Sequence, residues 1–313
     1  MFQTLENLFD EPVAPTVDRW LLENDDGGVL RMGEVGMLSG AGGAGKTTTL
    51  VQLALAVATG RPWLSTLAGE GGFRTPKGGG RVLLVIGHED RDVVKRRLHK
   101  ALSLAKRAAP RLSDEDIRAA EDRIVVRCSR LQPEHALLSS DGCTGSVWCD
   151  IDADLSRVGP NGEGWSLVIL APLVRFANAH TETNGQDAEM FVDCIKGFTN
   201  YPGNPAVLVS HHTTKASRIA AQKDDDVVER PRGVRQLADG FSWHAVLMRR
   251  DVGASRMATM EFFRRSAWYD PHGVPRPMRL TMGEDGCLWQ ATQFDEARHA
   301  RAKAEARFIL EDR

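Results

Sequence analysis

The stretch GAGGAGKT, Gly40 to Thr47, fits the pattern G-x-x-x-x-G-K-[ST] and stands between the strand-like run VLRMGEVGMLSG and the helix-spaced run TTTLVQLALAVATG. That context restricts the fold more than any other part of the chain. A glycine-rich turn between a strand and a helix turns its backbone N–H groups and the positive end of the helix toward an anion. Gly40, Ala41, Gly42, Gly43, Ala44, Gly45, Lys46, Thr47 and Thr48 are therefore expected to hold nucleotide phosphates. Lys46 is expected to reach the terminal phosphates, and the Thr47 hydroxyl to ligate Mg²⁺. A plain glycine turn before a helix would explain the glycines but not Lys46 and Thr47 at these offsets.

The rest of the chain continues the alternation. RVLLVIG, IVVRCS, SLVIL and AVLVSHH read as short buried strands, separated by helical stretches that include DRDVVKRRLHKALSLAKRA and segments near 113–121, 152–158 and 186–199. WHAVLMRR, RMATMEFFRRS and PMRLTM follow as strands without intervening helices, so an antiparallel extension is expected after a mostly parallel α/β sheet flanked by helices. Residues 139–150 read only as a loop or hairpin, and 213–230 as a polar loop. The expected division is an N-terminal arm over 1–28, a core over 29–292 and a charged helix over 293–313.

Composition excludes some classes of protein. The longest apolar runs, VLLVI and LVIL, are too short to cross a membrane, and MFQTLENLFDEPVAP lacks the basic and apolar parts of a signal peptide. The five cysteines form no CxxC pair, which suits a reducing cytoplasm. A net charge of −2 leaves nucleic acid open as a partner, because a groove can gather a few cations on a neutral chain.

Two further motifs carry chemistry. VLLVIGHED ends a strand on His88, Glu89 and Asp90, at the sheet edge where open α/β folds bind ligands. Glu89 is suited to orient and deprotonate a water, while Asp90 is suited to cap the next helix, and an acidic cap alone would also account for both residues. AVLVSHHTTK delivers His211 and His212 to the same edge. One histidine is expected to pack in the core and His212 to sense the terminal phosphate, since two histidines make too small a ligand set for a metal.

Taken in order, GAGGAGKTTTLVQLALAVATG, GHED with RRL, LVILxPLxRF, HHTTKAS and RGVRQLADGFSW resemble the RecA-like ATPases of the plasmid RepA type, which are hexameric replicative helicases. The resemblance spans roughly Val29 to Tyr269. It implies a RecA-like P-loop core, ATP and Mg²⁺ as cofactors, and a homo-oligomeric ring on single-stranded DNA that works with a replication initiator or loader. It implies catalytic roles for Glu89 and His212, and for Arg232 as the arginine finger of a neighbouring subunit. Lys215, Arg218 and Lys223 lie where such rings present DNA-binding loops, although Asp224, Asp225 and Asp226 beside them also suit a solvated loop.

One position departs from the family pattern. The strand in WSLVILAPLVRF ends on Ala171, where an aspartate of the Walker B strand would help to hold Mg²⁺, while Pro172, Arg175 and Phe176 still match. Either an aspartate was exchanged for Ala171 to trap nucleotide, or the chain is a naturally non-hydrolysing paralogue. Intact Lys46, Thr47, Glu89 and Arg232 favour the exchange. The expectation is a helicase or translocase subunit that binds ATP and hydrolyses it poorly. An ATP-gated DNA-binding mediator or regulator is the alternative, and a nucleotide-gated scaffold without DNA a third.

Overall fold

The computed structural model describes residues 19–128, 136–138, 144–223, 228–264 and 276–311. β1 (Trp20–Asn24) and β2 (Gly27–Arg31) form an antiparallel hairpin whose Leu21, Leu22 and Leu30 are fully buried. Part of the arm expected over 1–28 is thus packed on the core, and the remainder lies outside the described residues.

β3 (Val35–Gly40) is buried along its whole length and leads through the glycine turn into α1 (Lys46–Thr59). Gly60 stops this helix in the left-handed region at φ 69°, a conformation that glycine adopts without a Cβ penalty. β4 (Arg81–Ile86), α2 (Arg91–Arg107), α3 (Asp114–Arg123) and β5 (Ile124–Cys128) follow. Then come α4 (Ser146–Leu155), β6 (Trp165–Ala171), α5 (Gly185–Gly197) and β7 (Ala206–His212). α4 replaces the helix expected near 152–158, because Val147, Ile151 and Leu155 recur at helical spacing and are buried. The chain continues through α6 (Lys215–Lys223), α7 (Arg235–Asp239), β8 (Trp243–Arg249), β9 (Met257–Arg264), β10 (Met278–Met282), β11 (Leu288–Gln290) and α8 (Gln293–Glu311). The segment read as a polar loop therefore carries a helix, α6, over its first half.

The main sheet has nine strands in the order β11-β10-β9-β8-β3-β7-β6-β4-β5. Neighbours are parallel from β8 to β5 and antiparallel from β8 to β11, as expected. Alternation along each strand divides the core into two layers. Val82, Leu84, Ile86, Leu167 and Ile169 pack with α1, whereas Leu83, Val85, Val168, Leu170 and Val209 pack with Phe191, Val192 and Ile195 of α5. The parallel register then aligns the strand ends that matter chemically. Gly40 pairs with His212, and Ile86 with Ala171, so the ends of β3, β7, β6 and β4 form one edge.

Candidate nucleotide site

The glycine turn at this edge is shaped for phosphate. Gly43 and Gly45 take φ values of 78° and 104°, and a Cβ at Gly42 or Gly43 would meet nothing within 4 Å, so this part of the loop faces open space. α1 begins at Lys46, and the amides of its first turn are the ones a helix leaves unpaired. The Lys46 side chain is drawn in, only 7% exposed, with Nζ donating to the carbonyls of Gly40 and Ala41 at 2.8 Å each. Burial lowers its ammonium to about 8, against the opposing pull of the Glu229 carboxylate. A buried ammonium on two backbone carbonyls is a ready partner for a phosphate oxygen.

Thr47 stands half-buried at the next position. The Thr48 hydroxyl accepts from Arg97 Nη1 at 2.7 Å, so that side chain faces α2, while the Thr48 amide belongs to the first turn of α1. The loop pattern did not signal this contact between Thr48 and Arg97.

Glu89, beyond the end of β4, is held by both oxygens. Arg97 donates to it from Nε at 2.8 Å and from Nη2 at 2.6 Å, and His88 Nε2 lies 3.4 Å away. Burial alone would raise this carboxyl, but the hydrogen bonds from His88 and Arg97 and their charges outweigh it and bring the group down to about 2. Glu89 is ionised and well oriented, yet a weak base while Arg97 grips it. Asp90 occupies the N-cap of α2 without accepting a cap hydrogen bond there, so the expected cap is positional and electrostatic only.

Ala171 ends β6 with its side chain fully buried, and its carbonyl accepts from Gly87 N–H at 2.8 Å. The glycine turn and Lys46 fit a polyphosphate. For Mg²⁺ the protein offers the Thr47 hydroxyl and, at Ala171, a methyl group; among the described residues no cluster of three His, Cys, Asp or Glu side chains could hold a metal. A magnesium ion here would depend on Thr47, phosphate oxygens and water.

At the end of β7, His211 is fully buried, with Nε2 2.7 Å from the Arg232 carbonyl, and it is the histidine that packs. His212 is half-buried at the register position of Gly40. Burial, with the nearby Lys46 charge, lowers it to about 4, so it is neutral at pH 7. The Arg232 N–H donates to the His212 carbonyl at 2.8 Å, and its guanidinium, 61% exposed, pairs with Glu182 at 2.8 Å. Arg230 is exposed, and Arg235 pairs with Asp239 at 2.9 Å. Lys215 and Arg218 share one face of α6, three residues apart, while the Lys223 side chain lies outside what is described.

Arg97, Glu182 and Glu229 belong to this edge and escaped the sequence reading. Arg97 was within reach of it, being part of the RRL run that follows GHED. Glu182 and Glu229 come from connections, where no periodicity marks a residue as inward-facing.

Fold and site together define a P-loop α/β ATPase domain, with β7 inserted between the phosphate-loop strand β3 and β6. The chain belongs to the AAA domain family, whose profile matches residues 2–218. Among solved structures it is similar to the KaiC-like protein PH0186 from the hyperthermophilic archaeon Pyrococcus horikoshii OT3, at 10% identity and a TM-score of 0.48 over 87% of this chain and 94% of that one. A comparison with curated proteins finds no match. Among the described residues no helix is long and apolar enough to cross a membrane.

Proposed function

We propose that this chain is a subunit of a ring-forming, ATP-dependent helicase or translocase of the plasmid RepA type, which holds Mg-ATP firmly and turns it over slowly. The observation that carries the reading is a complete phosphate cradle, with buried Lys46 on two loop carbonyls, beside a β6 strand that ends on a methyl group. Gly40 to Thr48 bind the phosphates and Thr47 the magnesium. Glu89 aligns the attacking water, His212 reports on the terminal phosphate, and Arg232 reaches into the neighbouring site after leaving Glu182. An arginine finger is worth about 10³–10⁵ in rate, so its tether to Glu182 makes turnover dependent on assembly. Lys215 and Arg218 support single-stranded DNA binding through the backbone, which is salt-sensitive.

Ala171 also favours a second reading, an ATP-gated DNA-binding mediator that assembles on nucleotide and separates no strands. Unwinding of a forked duplex by the Ala171→Asp variant distinguishes the two. Helicase function predicts strand separation with ATP, whereas unwinding absent despite restored hydrolysis contradicts it.

A further inference from the structure

Residues 213–223 lead away from the end of β7, and residues 228–232 lie back against it. Thr214 N–H donates to the Arg230 carbonyl at 2.9 Å, Arg230 N–H to Ser217 Oγ at 2.9 Å, and Arg232 N–H to the His212 carbonyl at 2.8 Å. Inside this neck the Thr213 hydroxyl donates to the Glu229 carboxylate, and both residues are buried, Glu229 to 6% exposure. Glu229 N–H is also held, 3.5 Å from Met248 Sδ on β8. The neck touches the phosphate loop directly. Thr213 N–H donates at 3.3 Å to the Gly40 carbonyl, which at the same time receives Lys46 Nζ at 2.8 Å.

We propose that Glu229 is a positioning residue that couples occupancy of the phosphate loop to α6, through Thr213 and the shared Gly40 carbonyl. The Glu229 carboxylate acts on the Lys46 ammonium through space, opposing the lowering that burial causes. A terminal phosphate draws Lys46 away from Gly40 and Ala41, leaves the Gly40 carbonyl to Thr213 alone, and brings a second anion toward a buried carboxylate. Two negative groups in a poorly solvated place repel, and the neck, whose far side continues into α6, is what yields. The coupling is reciprocal: an anionic ligand on Lys215 and Arg218 must change nucleotide affinity by the factor with which nucleotide changes its own.

The inference rests on nucleotide binding at Gly40 to Thr48, and one experiment separates the two. Amide exchange across α6 and residues 228–232 is followed in the full chain with and without Mg-ATP, with ATP affinity measured in parallel. The unsubstituted chain is expected to bind ATP and to change exchange in these segments by about fivefold or more. Glu229→Gln, which keeps the shape and removes the charge, is expected to bind ATP more tightly and to lose that change. Thr213→Val is expected to lose it, and Thr213→Ser to keep it; this pair decides the matter if the glutamine variant does not fold. A merely structural Glu229 would weaken ATP binding on substitution and leave the response of α6 intact, which overturns the proposal. ATP binding by the unsubstituted chain with no response in α6 overturns it as well. Failure to bind ATP at all removes the underlying reading and the inference with it.

Discussion

The grip of Arg97 on Glu89 sets what this site can do chemically. A carboxylate brought down to about 2 aligns a water better than it takes its proton, so the proposed role of Glu89 makes Arg97 the residue expected to set the acid side of turnover. In an Ala171→Asp background, Arg97→Gln is expected to let Glu89 rise toward its ordinary 4.5 and to move the acid limb of the pH–rate profile upward; an unmoved limb means that Glu89 is not the base. Lys46 gives an opposite dependence. With its ammonium lowered to about 8 by burial, raising the pH through that value neutralises Lys46 and removes the charge that a phosphate would meet. ATP affinity is therefore expected to fall by roughly tenfold per pH unit above 8, measured by fluorescent-nucleotide titration, and a flat profile would contradict the role of Lys46.

Elements place these residues, and some of their determinants can be tested separately from function. α3 starts on a capping box in which Ser113 Oγ accepts from Asp116 N–H at 3.1 Å and Asp116 Oδ2 accepts from Ser113 N–H at 2.9 Å. Ser113→Ala is expected to lower unfolding free energy by about 1 kcal/mol in a denaturant titration, without altering nucleotide affinity. The parallel strands were legible because they are short apolar runs bounded by turns, and the loop from Gly40 to Thr47 because its lysine and threonine have fixed offsets. α4 began before its expected position because Gly145 and Ser146 carry turn-like chemistry, which conceals a start that burial of Val147 and Ile151 decides. The hairpin of β1 and β2 was missed because NDDGG reads as a polar linker, although Asn24 to Gly27 form its turn and its leucines reach the core. Glu229, 183 residues from Lys46 in the chain, could be placed beside it only by the sheet order that brings β7 next to β3.

At the scale of the whole molecule, three buried or half-buried histidines, His211 and His212 at the end of β7 and His244 near the start of β8, tie stability to pH. Burial lowers His211, His212 and His244 each to about 4, below the ordinary 6.5. The folded protein then binds fewer protons than the unfolded chain between these values, so stability is complete above 6.5 and is lost as pH falls toward 4. Glu89 adds a loss in the same direction from 4.5 toward 2. Denaturant midpoints are expected to fall on acidification from pH 7 to pH 5, with His244→Gln flattening the slope. Ring assembly is expected to appear as a mass increase with a non-hydrolysable ATP analogue; a strict monomer would leave Arg232 without a neighbouring site. The central claim, a site built to hold ATP whose turnover fails for want of one carboxylate, is tested most directly by the steady-state rate of ATP hydrolysis in this chain and in its Ala171→Asp variant. The account predicts at least about a tenfold faster rate in the variant, equivalent to roughly 1.4 kcal/mol of barrier, and equal rates would contradict it.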